Sequence, residues 1–262
     1  MPGRNDLTSL AWTLWLDRTP RPGWQNMAID QTLLELSAGQ GLAFLRLYQW
    51  DPHCLSFGRH EPAARRYDRA RVEALGLDTV RRPTGGRAVW HARELTYAVA
   101  VPDRFGSLPD TYCRIHALLR NALGLMGAAA ELAPRPGRVP APADGACFAV
   151  PVGGEVMVAG RKVVGSAQLR HGGGLLQHGA VLLEDDQSLV HALAGSGHQV
   201  APEAPLSSLL GRRITFEEAA EAVIRAAQDW SPRWHDARQD QLERLARAHE
   251  ARYRSPEWTW ER

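Results

Sequence analysis

The run Arg81-Arg82-Pro83-Thr84-Gly85-Gly86-Arg87-Ala88-Val89-Trp90-His91 sets two adjacent glycines between two short stretches of strand character, Asp78–Arg81 and Ala88–His91. Glycines there let backbone come close to a ligand. Thr84 adds a hydroxyl, Arg82 and Arg87 add fixed charge, and His91 adds a donor, an acceptor or a base. No G-K-S/T follows, so this is not a Walker A loop, and G-x-G-x-x-G is absent, so it is not a dinucleotide fingerprint. On spacing alone, a tight turn with solvated arginines fits equally well.

A second glycine-containing run lies downstream: Gly160-Arg161-Lys162-Val163-Val164-Gly165-Ser166-Ala167-Gln168, then Gln177-His178-Gly179. If residues 162–169 form one strand, Lys162, Val164, Ser166 and Gln168 share a face, with small residues leaving room beside the ammonium. An edge strand with a solvated lysine fits the spacing as well. The alternation of the neighbouring segments sets the fold class.

Strands are expected at Trp12–Asp17, Ala43–Tyr48, Cys54–Phe57 and Asp78–Arg81. A hairpin is expected from Ala88–His91 and Leu95–Val101, and three consecutive strands over Glu155–Val158, Lys162–Leu169 and Leu175–Leu183. Helices are expected from Asn26, over Tyr67–Leu75, Leu108–Met126, Phe216–Trp230 and Asp240–Arg252. Ala133–Gly145 reads as a long Pro/Gly-rich loop, and such loops are often functional. The pattern predicts one α+β domain over 1–262: a mixed, largely antiparallel sheet flanked by helices over about 12–230, then a short helical tail over about 231–262.

The net charge of +2 gives no case for a nucleic-acid partner. Three cysteines, Cys54, Cys113 and Cys147, with no C-x-x-C pair argue against a disulfide framework or a structural zinc. They suggest a reducing, cytoplasmic compartment. Met1–Leu10 has no apolar core of a secretory leader, and no stretch is long enough to span a membrane. Cys54 and Cys113 lie in apolar elements and read as packed thiols; Cys147, in Gly145-Ala146-Cys147-Phe148, sits among small residues at a loop-to-strand junction. A cation that lowers such a thiol from about 8.5 to about 7 supplies about 2 kcal/mol and makes roughly half of it thiolate.

Taken together, these runs resemble the biotin/lipoate ligase and octanoyltransferase superfamily. Arg82–His91 is similar to its acyl-pocket motif, Gly160–Gln168 to its lysine motif, and Gln177-His178-Gly179 to the element after it. ATP-using lipoate ligases have a third glycine where this chain has Arg87, and Asp-x-Gly-Asn after the histidine where it has Ala92-Arg93-Glu94-Leu95-Thr96-Tyr97. Thr84–Val89, Glu94–Tyr97 and Ala146-Cys147-Phe148 resemble the LipM-type octanoyltransferases. A biotin-ligase-like fold follows from the resemblance.

The resemblance implies Cys147 as acyl-thioester nucleophile and Lys162 as the cation that lowers its pKa and contacts the acyl carbonyl. It implies substrate binding by Arg82, Thr84, Gly85, Gly86, Arg87, Ala88, His91, Gly165, Ser166, Ala167, His178 and Gly179. Val89, Val164 and Ala167 are candidates for an apolar slot, and either His91 or His178 for proton transfer. No cofactor or metal is implied. The donor implied is octanoyl-acyl carrier protein. The acceptor implied is a lipoyl-accepting domain, of glycine cleavage H protein or a dehydrogenase E2. Arg65, Arg66, Arg69 and Arg71, or Arg135 and Arg138, either meet an acidic carrier or are simply solvated. The rival activities are an octanoyl/lipoyl amidotransferase, an ATP-dependent lipoate ligase and a non-catalytic acyl-binding module.

Overall fold

The computed structural model describes residues 9–133, 154–194 and 203–261. In chain order the elements are β1 (Trp12–Leu16), α1 (Gly23–Gln40), β2 (Ala43–Tyr48), β3 (Cys54–Phe57), α2 (Ala63–Arg66), α3 (Arg69–Ala74), β4 (Asp78–Arg81), β5 (Val89–His91), β6 (Glu94–Pro102) and α4 (Leu108–Leu125). There follow β7 (Ala130–Leu132), β8 (Val156–Val158), β9 (Arg161–Lys162), β10 (Val164–His171), β11 (Gly174–Leu182), α5 (Ser188–Leu193), α6 (Leu206–Leu210), α7 (Phe216–Ala226), β12 (Trp234–Asp236), α8 (Gln239–Arg254) and α9 (Pro256–Trp260).

Six strands form the main sheet in the order β10-β11-β6-β2-β1-β12. The three pairings from β10 to β2 are antiparallel, and β1 is parallel to both β2 and β12. This is the α+β, largely antiparallel mixed sheet expected from the pattern. Alternate side chains of β6 enter opposite cores: Leu95, Tyr97, Val99 and Val101 pack with α4 and α7, while Ala98 and Ala100 pack with α1. On its outer side α1 is covered by α8, through Leu242, Ala246 and Tyr253. That double cover explains why α1 buries residues all round rather than along one stripe. Among the described residues, no helix is long and apolar enough to cross a membrane.

Two three-stranded sheets flank the main one, in the orders β4-β3-β5 and β7-β8-β9. They correct two expectations. Residues 88–91 and 95–101 do not form a hairpin: β5 pairs with β3, whereas β6 pairs with β11 and β2. The chain steps from the small sheet to the large one at Ala92-Arg93. Nor is residues 162–169 one strand. The Val163 N–H bonds to Val156 O at 3.2 Å, and its carbonyl accepts from Leu182 N at 3.0 Å. Val163 therefore hands the chain from β9 to β10. Val163 and Val164 both enter the α4 core, so the alternation breaks there and Lys162 is not in the strand of Ser166.

The helix expected over 67–75 is interrupted before α3, where the Asp68 carboxylate accepts from Arg71 N. The C-terminal tail is helical apart from β12, which extends the main sheet beside β1.

β10 and β11 approach closely where Ser166 faces Gly179. A Cβ on Gly179 would lie 2.3 Å from Gly165 O and 2.8 Å from Ser166 Oγ. Backbone cannot yield that much without moving the strand pair. Gly179→Ala is expected to cost about 2–3 kcal/mol, a fall of roughly 5–10 °C in Tm. Thermal denaturation with no change in Tm would contradict this packing.

Candidate active site

The two glycine-containing motifs meet on the α1 side of the main sheet. Thr84, from the turn between β4 and β5, lies 2.6 Å through Oγ1 from Nε2 of His178 on β11. The Nδ1 of His178 lies 2.8 Å from Oδ2 of Asp30, a fully buried carboxylate on α1. With Nδ1–H donating to the carboxylate, Nε2 accepts the Thr84 hydroxyl proton. Burial lowers the His178 pKa, against the raising effect of Asp30, and keeps the ring neutral.

Asp30 is fixed from its other side as well. Tyr48 OH donates to Oδ2 at 2.8 Å, and Arg46 Nη1 donates to Oδ1 at 3.0 Å. Arg46 is itself buried and also donates to Asp17 at 2.7 Å and to the Asn26 side chain at 2.8 Å. Its guanidinium stacks 3.9 Å over the Tyr48 ring. Breaking a paired buried network of this kind costs about 3–5 kcal/mol, because it strands a charge away from water.

Beside His178 lies a pocket that residues of both motifs line. It is lined by Met27, Tyr48 and Trp50, by Arg82, Val89, His91 and Thr96, and by Gly165, Ser166, Ala167, His178, Gly179 and Ala180. Small residues make its β10–β11 wall, and the fully buried Met27 and Tyr48 lie deep within it. The predicted residues Thr84, Gly85, Gly86, Arg87, Ala88 and Lys162 are not among the lining residues, and Ala88 packs into the core of the small sheet. Of the slot candidates, Val89 and Ala167 line the pocket, while Val164 is in the α4 core.

Arg82 and His91 have tasks that the spacing did not reveal. The buried Arg82 fork donates to Ser56 O at 2.9 Å, Ser56 Oγ at 2.6 Å, Gly85 O at 3.2 Å and Arg87 O at 2.8 Å. It is not a solvated arginine; it shapes the glycine turn, whose Gly86 sits at φ +95°. His91 bonds Glu94 through Nδ1 and Ser56 Oγ through Nε2, each at 2.6 Å, and stacks on Trp50 with centroids 4.0 Å apart. Both ring nitrogens of His91 and of His178 are engaged, so either ring must break a bond before moving a proton.

The α4 side of the sheet carries a second constellation. Lys162 Nζ lies 2.5 Å from Glu155 Oε1, with both side chains almost wholly buried. Next to them His116, on α4, donates from Nδ1 to Gly154 O at 2.7 Å and accepts at Nε2 from Ser166 Oγ at 2.8 Å. Ser166 in turn accepts from Tyr97 OH at 2.7 Å, and Gln177 donates to Tyr97 OH at 2.9 Å. The Ser166 hydroxyl therefore faces α4, away from His178. Burial pushes the His116 pKa down to about 4, with the Lys162 charge acting in the same direction. Glu203, whose backbone bridges to Lys162, is pushed up to about 7 by burial, with Asp186 adding to the rise.

Cys147, Arg135 and Arg138 lie outside the described residues. Cys54 is a fully buried strand thiol whose pKa burial raises, consistent with packing. Of the arginine cluster, Arg69 pairs with Glu73 at 2.8 Å and Arg71 donates to Ala192 O at 3.0 Å, so part of it is committed locally. No group of three or more His, Cys, Asp or Glu among the described residues could hold a metal ion. Sequence reasoning missed Asp30, Arg46, Trp50 and His116, and took Glu94 only as part of a motif. The signal for the first two was a charge inside an apolar run, Met27-Ala-Ile-Asp30 and Ala43-Phe-Leu-Arg46.

The fold has known counterparts. A T. acidophilum protein solved with bound lipoic acid superimposes with a TM-score of 0.79, at 21% identity, over 97% of this chain and 100% of that one. Lipoate-protein ligase A bound with ATP gives a TM-score of 0.78 at 22% identity over 95% and 98% of the two chains. By sequence, octanoyltransferase LipM of Exiguobacterium sibiricum is 34% identical over 267 residues, 90% of this chain and 94% of its own length. The profile of the lipoyl protein ligase A/B catalytic domain matches residues 22–228, and the chain belongs to that family.

His116 stays neutral in the fold down to about pH 4, whereas a histidine at its ordinary value protonates near 6.5. Below about 6.5 the unfolded chain binds more protons, so stability present at neutral pH is lost as pH falls towards 4. His178 is shifted the same way. Tm is expected to fall over this window, and less steeply in His116→Asn. Equal slopes in the two proteins would contradict the assignment.

Proposed function

We propose that this protein is an octanoyltransferase of protein lipoylation that moves an octanoyl group from acyl carrier protein to a lysine of a lipoyl-accepting domain. The observation that carries the reading is the identity with the LipM octanoyltransferases, 34% over nine-tenths of this chain for the E. sibiricum protein and 42% over 178 residues for that of Kyrpidia tusciae. The pocket agrees with it. Its lining has the right character, small residues facing the buried Met27 and Tyr48, with its histidines and Arg82 already satisfied by protein groups; its free volume of about 20 Å³ has to widen to admit an acyl chain.

In this reading Cys147 thiolate attacks the donor thioester. A new C–S bond forms, the carrier thiolate leaves, and it takes up the proton released by the Cys147 thiol. The acceptor lysine amine then attacks the enzyme thioester, forming the amide, releasing Cys147 and giving up a proton. Splitting the transfer in this way is covalent catalysis. The first exchange is nearly balanced, and amide formation drives the second, so no nucleotide is needed. Lys162 supplies the cation that steadies the thiolate and the oxyanion. Glu155 offsets part of that charge and holds the ammonium in place. The acceptor is the lipoyl domain of a dehydrogenase E2 or the glycine cleavage H protein, and the compartment is the reducing cytoplasm.

Intact-mass analysis after mixing with octanoyl-acyl carrier protein tests the reading. The expected result is one octanoyl adduct on the native chain, lost in Cys147→Ser. Acylation only from an octanoylated lipoyl domain would instead assign an amidotransferase. Adenylate formation that survives loss of Cys147 would assign a ligase.

A further inference from the structure

The family match ends at residue 228, yet the chain continues into β12, α8 and α9. The last of these lies against the small sheet that carries the first glycine motif. Trp260 of α9 is buried edge-to-face on Phe57 of β3, with centroids 4.9 Å apart. The contact that matters most is polar. Arg81, the last residue of β4, is fully buried, and its Nε donates to Trp258 O at 2.8 Å and to Thr259 O at 3.1 Å. In return Trp258 Nε1 donates to Arg81 O at 3.0 Å.

The same guanidinium reaches the other way. Its Nη1 donates to Gly58 O at 2.7 Å and to Glu61 O at 2.8 Å, gripping the turn after β3. That turn supports the glycine motif directly. Arg59 N donates to Thr84 O at 2.8 Å. A Cβ on Gly58 would lie 1.9 Å from Gly86 O, so the two turns are in backbone contact. A continuous set of contacts thus runs from the carbonyls of α9, through Arg81, through the 58–61 turn, to Thr84 and Gly86. A second tie joins the tail to α1: Tyr253 OH donates to Gln31 Oε1 at 3.2 Å, one residue from Asp30.

We propose that the segment 239–260 is a working part of the acyl site, with Arg81 and Trp258 as positioning residues for the Thr84–Gly86 turn. The proposal rests on reading the pocket beside that turn as acyl-binding. A lysine at 81 keeps the charge but has no planar fork, so it cannot hold α9 and the 58–61 turn together. The turn then relaxes, and binding of the acyl donor weakens while Lys162, on β9 of the other small sheet, keeps its place beside Glu155.

The test uses the full chain with octanoyl-acyl carrier protein at saturating acceptor domain, below the Tm of each variant. Arg81→Lys is expected to raise donor KM roughly tenfold, and Trp258→Phe roughly threefold, with kcat held within about twofold. Arg247→Ala, exposed on α8, is expected to match the wild type. Lowered Tm with donor KM unchanged in the folded variants would overturn the proposal, and so would a fall in kcat alone. If Arg81→Lys does not fold, Trp258→Phe decides. A wild type that transfers no octanoyl group defeats the octanoyl reading. The tail is then scored by the rise in Tm on adding octanoate: a rise reduced in the variants supports it, while an equal rise, or none in the wild type, overturns it.

Discussion

The Asp30 carboxylate is the constraint on which the rest of the site depends. It is a charge on a helix that is covered on both sides, so it must be satisfied entirely by protein. Arg46, Tyr48 and His178 do so, and each comes from a strand of the main sheet. This fixes the register of α1 on the sheet. It also fixes the tautomer of His178, which leaves Nε2 free to accept from Thr84. The junction of the two motifs is thus set by electrostatics inside the core rather than by contact between their loops.

The main sheet divides the polar chemistry into two compartments. The α1 side holds the pocket, with Asp30, His178, Arg82, His91 and Glu94 linked around it. The α4 side holds Lys162, Glu155, His116 and the Ser166 hydroxyl. β10 is the edge strand of the main sheet, and Gly179 of β11 lets it approach closely at Gly165 and Ser166. The handover at Val163 turns Lys162 out of the line of β10.

Much of this was legible in the sequence, and what was missed has physical reasons. The α+β class and the main strands followed from alternation, and the partnership of the two motifs from the family resemblance that they carry together. The expected hairpin at 88–101 failed because a two-residue link between apolar strands is equally a step between sheets, and β3 and β11 compete for the partners. The break at Val163 was marked by two consecutive buried valines, which alternation does not allow. Arg82 and His91 were identified as polar members of the motif, but spacing cannot say whether a donor faces a ligand or the protein's own carbonyls. Asp30, Arg46 and His116 are single charged or titratable residues in apolar runs, and only the tertiary fold shows that Asp30 meets Arg46 on one side of the sheet while His116 meets Ser166 on the other.

The central claim is that the two motifs form one pocket through the Thr84–His178 bond. A double-mutant cycle in donor KM, with Thr84→Val, His178→Phe and both together, tests it most directly. If the bond joins the motifs, either single change removes it, and the double variant is expected to be little worse than the worse single one, a coupling of about 1–2 kcal/mol. Strictly additive effects in folded proteins would show that Thr84 and His178 act separately, and would contradict the account.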